Sequence, residues 1–332
     1  MDTPKVCVIH LNQIGDLVFS LPLLKALRDH YGQAEIHSVT RPYLAGLLQD
    51  SPFVDRVIQR RDSILSVSSL ILSLRRSRYE LLVSLARSEE AMIMTLLSGA
   101  KLKAGFARAP WDIALDVKET VQGHNSWFNN ARLLDRLGIP VFQNSYVGLL
   151  RVDGVSQVEG LPWRYAVISP GASRRRLAKA WEEEKFALVI ARLSMEFGLS
   201  CVLVGGEDAA FCTSEIAQRS KALLSGGVTQ VVDLAGRVDL RSLVSVIRRA
   251  KLFVGIDSGP MHIASALDIP TVAIFGPTDP AYVGPQNERS AVVRKDLACS
   301  PCYLRGDCDH RRCLSLIEAQ DVLDACNRVL GA

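Results

Sequence analysis

Nowhere in the 332 residues is there an unbroken apolar run of the roughly 20 residues that a bilayer-crossing helix needs. The longest mostly apolar stretch, Leu65–Leu74, is punctuated by serines, so a transmembrane segment is excluded. The N-terminus, MDTPKVCVIHLNQIGD, has a four-residue apolar core. That is too short for a secretory leader, and the expected location is cytoplasmic. An excess of one charge is also lacking: 39 basic and 35 acidic side chains leave a net +4. Residues 1–160 hold 18 basic and 16 acidic groups and the remainder 21 and 19, so no basic tail marks a nucleic-acid binder. The weak positive balance suits a small anionic ligand or an anionic membrane surface. Low-complexity segments, short-period repeats and a G-x-G-x-x-G dinucleotide fingerprint are absent as well.

What is present is an ordinary globular composition, 48% apolar and 22% charged. At about 150 residues per domain the length implies two domains, each able to bury a core without cross-links. Apolar strand-like runs alternate with helical patterns throughout. Lys5–Leu11 reads as a strand covered on both faces, and LVFSLPLLKALRDHYG as one helix stopped at Gly32. Strands are expected at Ala34–Val39, Val54–Ile58, Leu81–Ser84 and Ala104–Phe106, and helices at Ser63–Arg78, Ser88–Leu97 and Trp127–Leu137. The stretch Gln143–Pro162, with three glycines and no helical period, reads as a strand plus a linker. The pattern then restarts at Tyr165–Ser169 and runs to a terminal helix, Glu318–Val329. Repeated βα units give an α/β protein with two doubly wound parallel sheets, which bind ligands beyond the C-terminal ends of their strands.

Three loops at such strand ends stand out. In Asn12-Gln13-Ile14-Gly15-Asp16, Gly15 permits a tight turn, and Asp16 is either an N-cap carboxylate or a general base. In Ser169-Pro170-Gly171-Ala172-Ser173, a glycine turn is followed by Arg174, Arg175, Arg176 and Lys179. It is either a diphosphate cradle or a solvated basic loop. In Gly255-Ile256-Asp257-Ser258-Gly259-Pro260-Met261-His262, a strand runs into a Gly-Pro helix start. The amides of Met261 and His262 and the positive end of the helix dipole match a phosphate there. A second Gly-Pro turn, Phe275-Gly276-Pro277-Thr278-Asp279-Pro280, follows the next strand.

Of eight cysteines, Cys7, Cys201, Cys212 and Cys326 are scattered and read as plain thiols. Cys299, Cys302, Cys308 and Cys313 crowd into fifteen residues with Asp307, Asp309 and His310 between them. The spacing fits a structural tetrahedral zinc, two disulfides in one of three connectivities, or free thiols. A reducing compartment disfavours the disulfides.

The texts IGDLVFSLPLLKALR, SPGASRRRLAKAW and GIDSGPMHIASALDIPTVAIFGPTDP, in this order, resemble glycosyltransferase family 9, the ADP-heptose:lipopolysaccharide heptosyltransferases. HNSWFNNARLLDRLGIP and LVGGEDAA add weaker likeness, and the coverage is nearly the whole chain. The resemblance implies a GT-B fold, two Rossmann-like domains facing across a cleft. Here these would be residues 1–155 for the acceptor and 162–317 for the nucleotide sugar, with a terminal helix, 318–332, that packs back on the first domain. It implies inversion at the anomeric carbon without a catalytic metal or required cofactor. Asp16 would be the base that deprotonates the acceptor hydroxyl, and Lys179 would neutralise the donor diphosphate. Ser169, Gly171, Asp257, Ser258, Gly259, Met261 and His262 would bind the donor, with Glu207 at the ribose and Val238 at the base. Gly15, Arg41, Arg60, Arg61, Arg87 and Arg108 would meet an anionic acceptor, because arginine forks suit phosphate and carboxylate. The implied partners are a nucleotide sugar, a lipopolysaccharide core or lipid-linked acceptor, and the cytoplasmic face of the inner membrane as a peripheral contact. Rival readings are a family-9 enzyme with another donor sugar, a GT-B-fold sugar-nucleotide epimerase that would leave the first domain's arginines idle, and a non-enzymatic nucleotide-sugar binder.

Overall fold

In the computed structural model, residues 3–10, 13–155, 158–171, 179–224, 229–303, 308 and 310–331 are described. The chain divides into two compact units, Met1–Asp153 and Gly154–Ala332.

The first unit is built of β1 (Lys5–Ile9), α1 (Ile14–Phe19), α2 (Leu21–Tyr31), β2 (Glu35–Thr40), β3 (Arg56–Gln59), α3 (Ile64–Ser77), β4 (Leu81–Ser84), α4 (Glu89–Leu97), β5 (Leu102–Phe106), β6 (Val117–Glu119) and α5 (Ser126–Arg136). Its sheet is all parallel, in the order β3-β2-β1-β4-β5-β6. β1 is central because VCVI is apolar on both faces, as a strand covered by helices on each side requires. The strand order reverses beside β1, between β2 and β4, and this is where such sheets leave a crevice.

The second unit repeats the plan with β7 (Tyr165–Ser169), α6 (Glu183–Phe197), β8 (Ser200–Leu203), α7 (Ala210–Leu223), β9 (Val231–Asp233), α8 (Leu240–Arg248), β10 (Leu252–Ile256), α9 (Gly259–Ala266), β11 (Thr271–Ile274), α10 (Pro280–Val283), β12 (Ser290–Val293), α11 (Arg312–Ser315) and α12 (Ala319–Gly331). Its parallel order is β12-β11-β10-β7-β8-β9, with the reversal between β10 and β8, beside β7. β7, β8 and β10 are buried at every position. α12 contributes Val322, Leu323, Ala325, Cys326 and Val329 to the core under this sheet. Two doubly wound parallel sheets in one chain are what the alternating sequence pattern calls for.

Several local readings change. LVFSLPLLKALRDHYG forms two helices, α1 and α2, hinged at Ser20. Pro22 has no N–H to continue the ladder, which explains the break. Gly15, expected in a tight turn, lies in the first turn of α1, and the N-cap there is Gln13 rather than Asp16. Between Leu137 and Tyr165 no strand forms among the described residues, although Tyr146, Leu149, Leu150 and Val152 are buried. The short strands β6 and β12 carry little pattern of their own: three and four residues, partly exposed, paired along one side only.

Candidate functional site

In the second unit, the loops after β7, β10 and β11 emerge side by side, because these strands are neighbours in the sheet. Gly171 turns the first loop with φ +61°, a left-handed value natural only to glycine. A Cβ there would stand 2.9 Å from Ile256 Cγ1 and 3.4 Å from Ser258 Cβ, so the loops after β7 and β10 pack in direct contact. Gly255 serves the same closeness one strand position earlier, since its Cβ would stand 2.7 Å from the Ser169 carbonyl oxygen. Residues 172–178, which hold the three consecutive arginines, lie outside the described residues.

Lys179 follows. Its Nζ donates to Asp257 Oδ2 at 2.5 Å, and Thr278 Oγ1 donates to the same oxygen at 2.7 Å. Both partners of the ion pair are largely shielded, with 15% and 10% of their side chains exposed. Trp181, two residues on, is buried. The indole N–H of Trp181 donates to the Ile317 carbonyl at 3.0 Å, and its ring meets Phe186 edge-on. A cation thus stands at the switch point of the sheet, paired with Asp257.

α9 begins beside this pair, with Ser258 as N-cap and Pro260 in its first turn. The hydroxyls of Ser169 and Ser258 are buried without a hydrogen-bond partner among the described residues. Unsatisfied buried hydroxyls cost stability, about 1–3 kcal/mol each, and at a strand-end loop they mark places where a ligand oxygen completes the bonding. His262 is buried, and its pKa is pushed down to about 4, first by burial and then by Lys179, against an opposing pull from Asp257. It is therefore neutral at pH 7. The amide of Met261, expected to face a ligand, instead closes on the Ser258 carbonyl at 3.1 Å, and its side chain is fully buried. Met261 thus belongs to the helix core rather than to the loop face.

Glu207 and Val238 follow β8 and β9. Gly236 N–H donates to the Gly205 carbonyl at 3.0 Å, and a Cβ on Gly236 would stand 3.2 Å from Glu207 Cα. These two loops therefore form one surface, with Glu207 exposed and Val238 half-buried.

In the first unit Asp16 sits half-buried in the first turn of α1, directly after the central strand. Ser126, the first residue of α5, donates its hydroxyl to Asp16 Oδ1 at 3.2 Å. Tyr43, after β2, is close enough to feel the Asp16 charge. Its pKa is raised, first by burial and further by Asp16, while Arg41 works against it. Behind the loop, the buried His10 ring lies between Ser20 Oγ, 3.1 Å from Nδ1, and Ser38 Oγ, 3.2 Å from Nε2. The Ser20 proton goes to the Leu17 carbonyl at 2.6 Å, which assigns the ring proton to Nδ1 and makes Nε2 the acceptor from Ser38. Burial pushes the His10 pKa down to about 3.

Beside Asp16 a pocket of about 260 Å³ opens among Arg87, Phe106, His124, Ser126 and Asn130. Of the arginines singled out in the sequence, Arg87 lines it, and Arg108 donates to the Arg87 carbonyl at 2.5 Å. Arg61 is exposed. Arg41 is ion-paired with Asp62. Arg60 is buried against Glu90 and ties the end of β3 to the first turn of α4, which commits its guanidinium to the fold. Tyr43, Ser126, Thr278 and His10 had no assigned part in the sequence reading. Thr278 and Ser126 do lie inside the quoted motifs, so position alone could have flagged them.

The four clustered cysteines are free thiols, with Cys313 buried and Cys299 and Cys308 exposed. Cys313 has its pKa raised, first by burial and then by the neighbouring Cys302, Cys308 and Cys299. Its sulfur also backs the Gly276 turn, 3.1 Å from where a Cβ would stand. Among the described residues, no three His, Cys, Asp or Glu side chains are arranged to hold a metal ion.

Two doubly wound parallel-sheet domains in one chain, one with a cation and a helix start at its switch point and one with a carboxylate after its central strand, are the architecture of the GT-B type. A family model, Glycosyltransferase family 9 (heptosyltransferase), matches residues 67–309, and the chain belongs to that family. It is 28% identical to lipopolysaccharide heptosyltransferase 3 of Escherichia coli over 95% of this chain and 96% of that one. Among solved structures, a family 9 glycosyl transferase from Veillonella parvula matches with TM-score 0.82 at 20% identity, over 99% of this chain and 98% of that one. The E. coli ADP-heptose lps heptosyltransferase II matches with TM-score 0.78 at 24% identity, over 98% of each chain. The protein is a glycosyltransferase.

Proposed function

We propose that the protein is an inverting, metal-independent heptosyltransferase that moves heptose from ADP-heptose to a lipopolysaccharide core acceptor. The observation that carries this reading is the shielded Lys179–Asp257 pair with Thr278, set between the glycine-tight loop of β7 and the start of α9. A diphosphate is the ligand such a place accommodates. Its oxygens would take hydrogen bonds from Lys179 and from the Ser169 and Ser258 hydroxyls, and would meet the positive end of α9. Glu207 would hold the ribose hydroxyls and Val238 the base.

In the proposed reaction Asp16 takes the proton of an acceptor hydroxyl. The oxygen attacks the anomeric carbon from the face opposite the diphosphate, through an oxocarbenium-like transition state. The bond to the diphosphate oxygen breaks as the new glycosidic bond forms, and ADP leaves with the electron pair. Negative charge grows on the leaving diphosphate during that step, so Lys179 and α9 stabilise the transition state more than the ground state. Ser126 holds the Asp16 carboxylate through its hydroxyl. Neutral His262 hydrogen-bonds a phosphate oxygen or a sugar hydroxyl. Arg87 and His124 face the acceptor in the pocket beside Asp16.

A structural zinc on Cys299, Cys302, Cys308 and Cys313 would clip the segment behind Gly276. The described side chains are not arranged around such an ion, and no step above passes through it. No helix of the described residues is long and apolar enough to cross a membrane. The proposed site of action is the cytoplasmic face of the inner membrane, where a lipid-linked acceptor is presented.

The test is to incubate purified protein with ADP-heptose and a heptose-deficient core acceptor. ADP release that requires the acceptor, with mass gain of one heptose on the core, supports the reading. Release without acceptor would favour hydrolysis or epimerisation, and preference for another nucleotide sugar would move the enzyme to a different donor.

A further inference from the structure

α3 has two unlike sides. Leu70 and Leu74 are buried in the first unit's core, with Val67 and Ile71 packed beside them. On the opposite side Leu65 is 84% exposed and Leu72 54%, and Ile64, in the first turn, is 85% exposed. Leu65, Ser69, Leu72 and Arg76 recur at helical spacing and form one outward stripe. Large aliphatic side chains exposed on one helix and flanked by polar residues mark a contact surface.

The charge around the stripe has one sign. From Ser63 to Tyr79 there is no carboxylate, while Arg75, Arg76 and Arg78 end the segment and Arg61 precedes it. The acidic side chains that flank the segment are paired elsewhere, Asp62 with Arg41 and Glu80 with Lys101, and at the start of α4 Glu90 pairs with Arg60 and Glu89 lies 4.0 Å from Arg108. The end of α4 adjoins the last turn of α3, since a Cβ on Gly99 would stand 3.1 Å from Arg75 Cγ. There Leu96 and Leu97 are 40% and 44% exposed, which extends the apolar face around the arginines. α3 also begins at the C-terminal edge of the sheet, after β3, the same edge from which the Asp16 loop leaves β1.

We infer that this face is a membrane-docking surface for anionic lipid. Ile64, Leu65 and Leu72 enter the boundary between headgroups and acyl chains, and Arg75, Arg76 and Arg78 bind lipid phosphates. An anionic bilayer, rather than a protein, is favoured by the pairing of bare aliphatics with arginines that no carboxylate neutralises among the described residues. The reason for such a surface rests on the proposed lipid-linked acceptor: it would hold the enzyme where that acceptor is anchored.

The test uses the full chain, with vesicle binding measured first in the absence of substrate and turnover measured separately. Wild type should sediment with phosphatidylethanolamine–phosphatidylglycerol vesicles at low salt and not with phosphatidylcholine alone. The double variant Leu65→Ser/Leu72→Ser should partition at least tenfold less. Arg75→Gln/Arg76→Gln should lose about 25-fold, at about fivefold per basic residue, and should flatten the salt dependence. Both variants should keep the wild-type unfolding midpoint and turn over a lipid-free core acceptor at the wild-type rate, while losing turnover of the vesicle-borne acceptor. Wild type that ignores anionic vesicles, variants that bind as well as wild type, or variants that only convert a dimer to a monomer would each overturn the inference. Vesicle binding without heptose transfer would leave the docking surface standing and sink the heptosyltransferase reading. Transfer without vesicle binding would do the reverse.

Discussion

Lys179 and Asp257, 78 residues apart in sequence, meet at 2.5 Å across the switch point of the second sheet. The pair is largely shielded, and Thr278 donates to the same carboxylate oxygen, so the ammonium is positioned before a phosphate needs it. Positioning of this kind lowers the reorganisation cost during bond breaking. Lys179→Ala should lower kcat with ADP-heptose at least 100-fold, with a smaller change in KM. Lys179→Arg should recover part of the loss, because the charge returns on a different geometry. Steady-state kinetics on both variants checks this, and an unimpaired Lys179→Ala would remove the lysine from the chemistry.

Gly171 tests the closeness of the two loops. Gly171→Ala puts a Cβ 2.9 Å from Ile256 Cγ1 in a left-handed backbone, so the loops must part. The expected result is a stability loss on the order of 1–3 kcal/mol together with at least tenfold weaker ADP binding. Thermal unfolding and calorimetric titration of ADP measure the two effects separately. Weak ADP binding with unchanged stability would mean the loop adapts and the ligand does not.

The buried, neutral His10 makes folding sensitive to mild acid. Its folded pKa of about 3 lies below the unfolded value of about 6.5, so the unfolded chain binds the extra proton. Stability is therefore full above pH 6.5 and falls as the pH drops from about 6.5 towards 3. Between pH 7.5 and 5.0 the loss due to His10 should be about 2 kcal/mol. Denaturant titrations of wild type and His10→Asn at both pH values isolate it, because the variant should lose about that much less. Equal losses would show that the ring is accessible to protons in the folded state.

Transfer should survive chelation. Charge on the leaving group is met by Lys179 and α9 in this account, so EDTA-treated enzyme and Cys302→Ser should both retain turnover within about twofold. Elemental analysis beside the assays reports whether the cysteines carry zinc. Loss of turnover on chelation, restored by a divalent ion, would contradict the metal-independent mechanism.

Much of the architecture was legible because fully buried parallel strands are continuous apolar runs, as VCVI and LFVGI show, and because the helices between them carry clear stop signals such as Gly32 and Gly198. The break at Ser20 was not read, although Pro22 announces it, because the apolar spacing continues through it. β6 and β12 escaped because three or four partly exposed residues have no period to detect. At the site, the loop carrying Lys179 and the Asp257 turn stood out through glycine, proline and charge at strand ends. The hydrogen-bond donor to Asp16 did not: Ser126 comes to it from an element 110 residues away, and only folding brings the two near. Arg60 shows what residue type alone leaves out. Its residue type suggested an anion site, and the fold pairs its guanidinium with Glu90, a partner 30 residues away.

The central claim is that Asp16 is the base for the acceptor hydroxyl, and acceptor-dependent ADP release measures it most directly. Wild type, Asp16→Asn and Ser126→Ala should be compared with ADP-heptose at saturating heptose-deficient core. The account predicts a loss of 100- to 10,000-fold in Asp16→Asn, about tenfold in Ser126→Ala, and unchanged ADP binding in both. Wild-type release by Asp16→Asn would contradict it.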